Sequence, residues 1–327
     1  MYNQSINFSL WVDFIERDFI SSGLVKLIQD KTINGATSNP AIFKDAILNS
    51  HSYKNQLESL TGMSAKERYE ALAIEDIKLA ADVLRPLFDE GNDGYVSIEV
   101  DPHLCDDAGA TIAEGLRLYK EINRPNVMIK VPATDAGYSA METLAKEGIA
   151  VNATLIFTLD QAQKCANAFE NAQKISGKSV DTVLSVFVSR LDRKLDSVCE
   201  AKNIEAGKLG IYNAANVYNQ IEKRSIEKLR VLFASTGVKG DTYRASYYIE
   251  ELLAPNSVNT APIKTIEAYK SVAPAEPKLP IAQTELDAFF TKVKDAGIDV
   301  DAALSELLDE GLVAFKDAFD EILDELK

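Results

Sequence analysis

The sequence has few cysteines, a shortage of basic residues and no long hydrophobic run. Its 327 residues include three cysteines, Cys105, Cys165 and Cys199, and no CxxC spacing, which suits a reducing compartment and indicates neither a disulfide framework nor a zinc site. Lys and Arg number 35 against 50 Asp and Glu, a net charge of −15, so we expect no nucleic-acid or membrane partner. We expect no signal peptide in the acidic N-terminus, and no apolar run reaches membrane-spanning length. We therefore expect a soluble, cytoplasmic protein.

The hydrophobic pattern alternates between strand and helix periods along most of the chain. The strand candidates are residues 9–13, 35–40, 94–100, 126–130, 149–157, 182–188, 231–235 and 255–260. The helical stretches between them include residues 42–60, 65–85 (ended by Pro86) and 214–229. About eight strands alternating with helices predict a parallel sheet. Because no GxGxxG follows the first strand, a closed (β/α)₈ TIM barrel with additional helices is favoured over a dinucleotide-binding sheet.

The C-terminal part of the chain departs from this alternation. Residues 271–280 contain Pro274, Pro277 and Pro280 and predict a linker. Residues 281–327 carry an apolar stripe at helical spacing with a face dense in Asp and Glu. We expect these helices to pack on the barrel, so that residues 1–327 form one domain; a separate interaction tail is the alternative.

One lysine stands at the end of a buried strand, in the segment NVMIKVPAT (residues 126–134). Lys130 follows three apolar residues, and Pro132 closes the run. Burying an ammonium group favours the neutral amine, which is the form that attacks a carbonyl to give a Schiff base. The alternative is a structural lysine that reaches solvent or pairs with a carboxylate.

Polar residues also end the other predicted strands, where a barrel built only for stability would carry Val, Ile and Leu. They are Asp13, Asn39, Glu99, Lys130, Asn152, Thr154, Ser185 and Ser235. Active sites of such barrels lie at the C-terminal strand ends, so we expect these side chains to converge and Lys130 to be a nucleophile.

The residue types suggest a chemistry. An iminium on Lys130 would act as an electron sink for cleaving the adjacent carbon–carbon bond. Glu99 is placed to move protons on and off water, and Asp13 to serve as the base for a substrate hydroxyl. The remaining candidates are Thr154 to position water, Asn39 and Asn152 to hold substrate hydroxyls, and Arg190, Ser235 and Lys239 to bind an anionic group.

Seven segments together resemble transaldolase, over about 270 residues. They are GATSNPAIF (35–43), SIEVDP (97–102), VMIKVPAT (127–134), VNATLIF (151–157), SVFVSRLD (185–192), FASTGVK (233–239) and PNSVNTAP (255–262). The resemblance, which is to the longer, Schiff-base-forming subfamily, implies a (β/α)₈ enzyme of the non-oxidative pentose phosphate pathway. Such enzymes transfer a dihydroxyacetone unit from sedoheptulose 7-phosphate to glyceraldehyde 3-phosphate.

The resemblance also implies roles for individual residues. It places the Schiff-base lysine on Lys130, the acid/base pair on Glu99 and Asp13, and the water-orienting threonine on Thr154. The implied substrate contacts are Asn39, Asn152, Ser185 and Phe187, with phosphate contacts from Arg190, Ser235 and Lys239. It implies no cofactor and no metal; sugar phosphates are the expected partners, and a homodimer is left open.

The sequence departs from the family pattern at two places. Val186 stands where the family commonly has proline, and Lys239, with Arg244 nearby, is the best match to the family's phosphate-binding arginine. Two rival functions also remain: a true aldolase that releases free dihydroxyacetone, and a catalytically silent barrel that binds partners through its acidic C-terminal helices.

Overall fold

The chain folds into a closed barrel of eight parallel strands, in the order in which they occur along the sequence. The computed structural model describes residues 1–272 and 276–327. The strands are β1 (Phe8–Asp13), β2 (Gly35–Thr37), β3 (Tyr95–Glu99), β4 (Val127–Pro132), β5 (Ala150–Ile156), β6 (Thr182–Phe187), β7 (Leu229–Ala234) and β8 (Ser257–Ala261). β8 pairs with β1 and closes the barrel. The predicted (β/α)₈ fold is confirmed.

Helices connect and surround the strands. In chain order they are α1 (Arg17–Phe19), α2 (Val25–Gln29), α3 (Pro40–Asn49), α4 (Lys54–Ser59), α5 (Ala65–Asp89), α6 (Ala108–Ile122), α7 (Asp135–Lys146), α8 (Leu159–Ser176), α9 (Ser189–Ala201), α10 (Leu209–Glu222), α11 (Tyr247–Glu251), α12 (Ile263–Lys270), α13 (Gln283–Asp295) and α14 (Val300–Glu325). Side-chain caps begin many of them; Thr134 and Thr158, for example, accept hydrogen bonds from the backbone of α7 and α8. Short 3₁₀ turns lie at Gln4–Ile6, His51–Tyr53 and Pro102–Leu104, and a π turn lies at Ile20–Leu24. Described residues include no helix long and apolar enough to span a bilayer.

Alternation along each strand creates two hydrophobic cores. In β1, Leu10 and Val12 face the surrounding helices and belong to the outer core. Trp11, between them, belongs to the inner core, which fills the barrel and extends to α13 and α14. Inward positions near the C-terminal strand ends are polar instead, and these residues form the candidate site.

The N-terminal end of the barrel is closed by packed and hydrogen-bonded side chains. Trp11 lies against Gly35, where an added Cβ would stand 2.5 Å from the indole ring. The indole Nε1 donates to Asp93 Oδ2 at 2.8 Å. Arg230 pairs with the other oxygen of that carboxylate at 2.6 Å and also donates to Ser9 Oγ. Any opening into the barrel therefore lies at the opposite, C-terminal end.

Three helix predictions were wrong in their bounds. The stretch 42–60 breaks at Ser50, whose extended backbone ends α3 and whose Oγ accepts from Ser52 N. Helix α5 continues through Pro86 to Asp89, since a proline in the last turn removes one backbone donor while its carbonyl still accepts from Glu90 N at 3.1 Å. The stretch 214–229 is instead Leu209–Glu222, because left-handed backbone at Ser225 and Lys228 turns the chain into β7.

The two C-terminal helices pack on the barrel. Helix α13 contacts α10, and α14 contacts α3, α5, α9 and β5. Part of the predicted linker, residues 273–275 with Pro274, lies outside the described residues. Immediately after this gap, Lys278 N donates to Leu253 O at 2.8 Å, and Leu279 is buried.

Candidate active site

Lys130 lies inside the barrel near the C-terminal end of β4, with 6% of its side chain exposed. It is in register with Glu99 on β3 and Asn152 on β5, so the three side chains project to the same face. Lys130 Nζ donates to the carbonyl oxygen of Ser38 at 3.1 Å and lies 2.9 Å from Glu99 Oε2. Burying such a pair is costly unless further hydrogen bonds satisfy it.

Two carboxyl groups accompany the lysine: Glu99 is buried and Asp13 is half-buried. Burial raises the pKa of Glu99 above its ordinary value, and the positive charge of Lys130 opposes that rise. Burial likewise raises the pKa of Asp13, opposed first by the charge of Lys130 and then by a hydrogen bond from Thr37 Oγ1 at 2.7 Å. Carboxyl groups with raised pKa values can take up and release protons closer to neutral pH, as general acid–base catalysis requires.

Thr154, beside a bulge in β5, lines the site and carries a hydroxyl group. The β5–β6 register shifts between Ala153 and Ile156, and Leu155 has left-handed backbone with φ +56°. The adjacent Thr154 Oγ1 is buried and has no hydrogen-bond partner among the described residues. Because an unpaired buried hydroxyl is costly, this group is suited to hold a water or a substrate hydroxyl.

Asn152 lies below the cavity and connects neighbouring side chains. Its Nδ2 donates to Ser97 Oγ at 3.1 Å, and its Oδ1 accepts from Ser185 Oγ at 2.6 Å. Both Asn152 and Ser185 are buried, but Ser185 lines the cavity and Asn152 does not. In this arrangement Asn152 orients Ser185.

An arginine marks the other side of the site. The Arg190 guanidinium lies 5.1 Å from the centre of the Phe187 ring. Burial, and secondarily the charge of Arg193, lowers the pKa of Arg190 from its ordinary value. No carboxylate of the described residues forms an ion pair with Arg190. Ser235 follows β7 with left-handed backbone, φ +54°, and its Oγ lies 3.1 Å from Ser189 Oγ. This corner can therefore receive an anion.

These groups surround one cavity that encloses about 640 Å³, its open mouth included. Its lining residues are Asp13, Thr37, Asn39, Ala41, Lys130, Thr154, Ser185, Phe187, Arg190, Ala234, Ser235, Thr260 and Phe315. The side-chain oxygen of Asn39 caps α3 by accepting from Ile42 N at 3.1 Å, which leaves its amide nitrogen for a ligand.

Three predicted site residues do not line this cavity. Glu99 contacts Lys130 from beside it, and Asn152 lies beneath Ser185. Lys239 is exposed and lines a separate cavity with Arg193 and Tyr243. The roles assigned to these residues stay predictions, as do the roles of the predicted residues that line the cavity.

The sequence reasoning missed several lining groups. Thr37 Oγ1 lies 2.6 Å from Thr260 Oγ1 and orients Asp13; period-two alternation from Gly35 would have placed Thr37 inside the barrel. Phe315, on α14, has its ring centre 5.5 Å from Lys130 Nζ. No local signal distinguishes Phe315 from the other apolar residues of the C-terminal stripe.

Comparisons with known proteins identify the family of this chain. Residues 10–326 match the family described as transaldolase/fructose-6-phosphate aldolase. The chain is 46% identical over 318 residues to a transaldolase of Helicobacter pylori (strain Shi470), covering 97% of this chain and 98% of that protein. It is also 46% identical over 328 residues to a transaldolase of Campylobacter jejuni subsp. doylei, with the same shares covered. The chain therefore belongs to the transaldolase/fructose-6-phosphate aldolase family.

Proposed function

We propose that this protein transfers a dihydroxyacetone unit from sedoheptulose 7-phosphate to glyceraldehyde 3-phosphate through a Schiff base on Lys130. The observation that carries the proposal is the placement of Lys130 Nζ in the cavity, 2.9 Å from Glu99 and within the electrostatic reach of Asp13. The substrates, and a place in the pentose phosphate pathway, are what the family resemblance implies.

The first half of the reaction forms the covalent intermediate. The Lys130 amine adds to the ketone carbonyl of the donor, and Glu99 gives the proton with which the carbinolamine hydroxyl leaves as water. Thr154 Oγ1, which has no hydrogen-bond partner within the described part of the chain, is suited to hold that water. The product is an iminium bound to Lys130.

The second half breaks and remakes a carbon–carbon bond. Asp13 takes the proton of the hydroxyl β to the iminium carbon, and the bond electrons move into the iminium to give an enamine and a free aldehyde. A second aldehyde then accepts the enamine carbon while Asp13 returns the proton. Hydrolysis of the new iminium releases the ketose and restores the amine.

Arg190 and Ser235 are proposed to bind the substrate phosphate. They line the cavity, and Arg190 is a half-buried cation without an ion-paired carboxylate among the described residues. A guanidinium group binds a phosphate with two parallel hydrogen bonds. Lys239 lies in the neighbouring cavity, from which its positive charge attracts the phosphate at longer range.

The test combines trapping with a transfer assay. Borohydride added in the presence of fructose 6-phosphate should attach the three-carbon unit to Lys130, as identified by mass spectrometry of the digested protein. Lys130→Met should abolish the label, whereas Lys174→Met, at an exposed position on α8, should retain it. Transfer of the three-carbon unit from fructose 6-phosphate to erythrose 4-phosphate, which is the reverse of the proposed direction, then measures the reaction itself. Label on Lys130→Met would refute the mechanism, and free dihydroxyacetone without an acceptor as the main product would identify an aldolase.

A further inference from the structure

Helix α14 lies across the C-terminal mouth of the barrel. At Gly311, an added Cβ would stand 3.0 Å from Leu155 Cδ2 and 3.3 Å from Arg190 Nη1, so the helix backbone is close to the site. Phe315, four residues later and on the same face of the helix, lines the cavity with its ring centre 5.5 Å from Lys130 Nζ. The helix thus contributes one wall of the site.

Contacts along α14 hold this wall in place. Lys194 on α9 pairs with Glu306 at 2.9 Å and Glu310 at 2.7 Å. Beyond Phe315, His103 Nε2 lies 2.8 Å from Asp320 and Lys44 pairs with Glu321 at 2.8 Å. Each surface ion pair contributes little to stability, but such pairs lie on both sides of Phe315 along α14. The helix also buries apolar residues, among them Leu307, Phe319 and Ile322.

Phe315 also differs chemically from the groups that surround Lys130. Glu99, Thr154 and the Ser38 carbonyl present polar atoms close to the lysine, and these can bind individual waters. Phe315 presents only a ring and is 6% exposed. Solvent that approaches Lys130 from α14 therefore meets a hydrocarbon surface that offers water no hydrogen bond.

We propose that Phe315 is a specificity-determining residue, whose ring keeps bulk water from the enamine on Lys130 so that the three-carbon unit is transferred and not released. This inference rests on the proposed function. In the release that Phe315 suppresses, the enamine carbon takes a proton from water, hydroxide or a second water adds to the iminium carbon, and the carbon–nitrogen bond breaks. The products are free dihydroxyacetone and the Lys130 amine. Excluding water is a recognised way in which a closed site prevents such side reactions.

The experiment measures the partition between release and transfer. Free dihydroxyacetone and sedoheptulose 7-phosphate are quantified together from fructose 6-phosphate and erythrose 4-phosphate. Phe315→Leu, which removes part of the ring's volume, should raise the ratio of release to transfer by about tenfold if water exclusion governs the partition. Phe315→Met, whose side chain is close to leucine in volume but is longer and unbranched and so reaches further into the space of the ring, should raise the ratio less.

The matched control is Phe319→Leu. Phe319 is a buried phenylalanine one turn along α14, and it packs edge-to-face on Tyr69 at 5.1 Å without lining the Lys130 cavity. It should lower stability without changing the ratio. Thermal melting identifies any variant that does not fold; if Phe315→Leu is one, Phe315→Met takes its place, with a smaller rise in the ratio expected. An unchanged ratio in the folded variant, or an equal rise in Phe319→Leu, overturns the inference. Failure of the unsubstituted protein to transfer at all, or to be trapped by borohydride, instead overturns the proposed function.

Discussion

Replacing Lys130 by methionine tests how the buried ion pair contributes to stability. The Lys130 and Glu99 side chains are 6% and 3% exposed, with Nζ and Oε2 2.9 Å apart. Methionine retains most of the apolar stem of lysine but removes the charge. The substitution therefore leaves the Glu99 carboxylate buried without its cation, while the surrounding packing changes little.

The expected loss follows from the state of Glu99. Removing one partner of a buried ion pair costs about 3–5 kcal/mol, because the other charge stays uncompensated. Glu99 can limit this cost by taking a proton, and burial already raises its pKa. In the variant the opposing effect of Lys130 is gone, so the folded state binds more protons than the unfolded state above the ordinary pKa of glutamate. Stability of the variant should therefore fall as pH rises, and the loss should be larger at about pH 8 than at about pH 5.

The assay is urea denaturation followed by far-ultraviolet circular dichroism at both pH values. The proteins compared are the unsubstituted chain, Lys130→Met, Glu99→Gln with Lys130→Met, and the exposed control Lys174→Met. The double variant should recover most of the loss at the higher pH, because it removes the carboxylate that Lys130 contacts; Asp13, which also loses the charge of Lys130, accounts for the part that is not recovered. A loss that does not depend on pH, or a double variant no more stable than Lys130→Met, would show that the reasoning about the pair is wrong.

Two further predictions concern the phosphate corner and a buried aspartate. Arg190→Ala should lower kcat/KM for a phosphorylated donor by about 10- to 100-fold, the value of a charge-assisted hydrogen bond. Lys239→Ala should lower it less, because Lys239 lines a different cavity. Steady-state kinetics with phosphorylated and unphosphorylated ketoses measures both variants, and equal losses of kcat/KM in Arg190→Ala and Lys239→Ala would contradict the assignment. Burial raises the pKa of Asp192 to about 7, so the folded state holds an extra proton and stability should fall as pH rises from about 4 to about 7. Asp192→Asn, whose amide can still accept from Gly210 N and donate to Tyr248 Oη, should flatten that part of the stability profile measured by urea denaturation; an unchanged slope would assign the dependence to other groups.

The barrel could be predicted from sequence because its signals are local. Alternation of apolar and polar residues identifies each strand, and the polar residue at a strand end indicates the mouth of the barrel. Lys130, Glu99 and Asp13 were found in this way, since each lies at or near the end of its own strand. All strands of a parallel closed barrel end at the same mouth, so the fold class alone predicts that these side chains lie together.

The rest of the site depends on distances that no local pattern contains. Phe315 reaches Lys130 from a helix near the other end of the chain, and its spacing predicts only an amphipathic helix. Lys239 is four residues after Ser235, yet the loop beyond β7 carries it to a neighbouring cavity. Asn152 lies opposite Lys130 within β5 and has an amide, but its hydrogen bonds to Ser97 and Ser185 occupy atoms that sequence reasoning left free for substrate.

Trp11 is the only tryptophan in the sequence, and it lies fully buried at the N-terminal end of the barrel with its indole bonded to Asp93. Intrinsic fluorescence excited near the red edge of protein absorption therefore comes from one chromophore. That chromophore lies in the barrel interior, and α14 crosses the opposite end. An emission shift should report the opening of the barrel itself, while detachment of α14 should leave the emission nearly unchanged. The protein thus carries an optical reporter that separates unfolding of the scaffold from exposure of its active site.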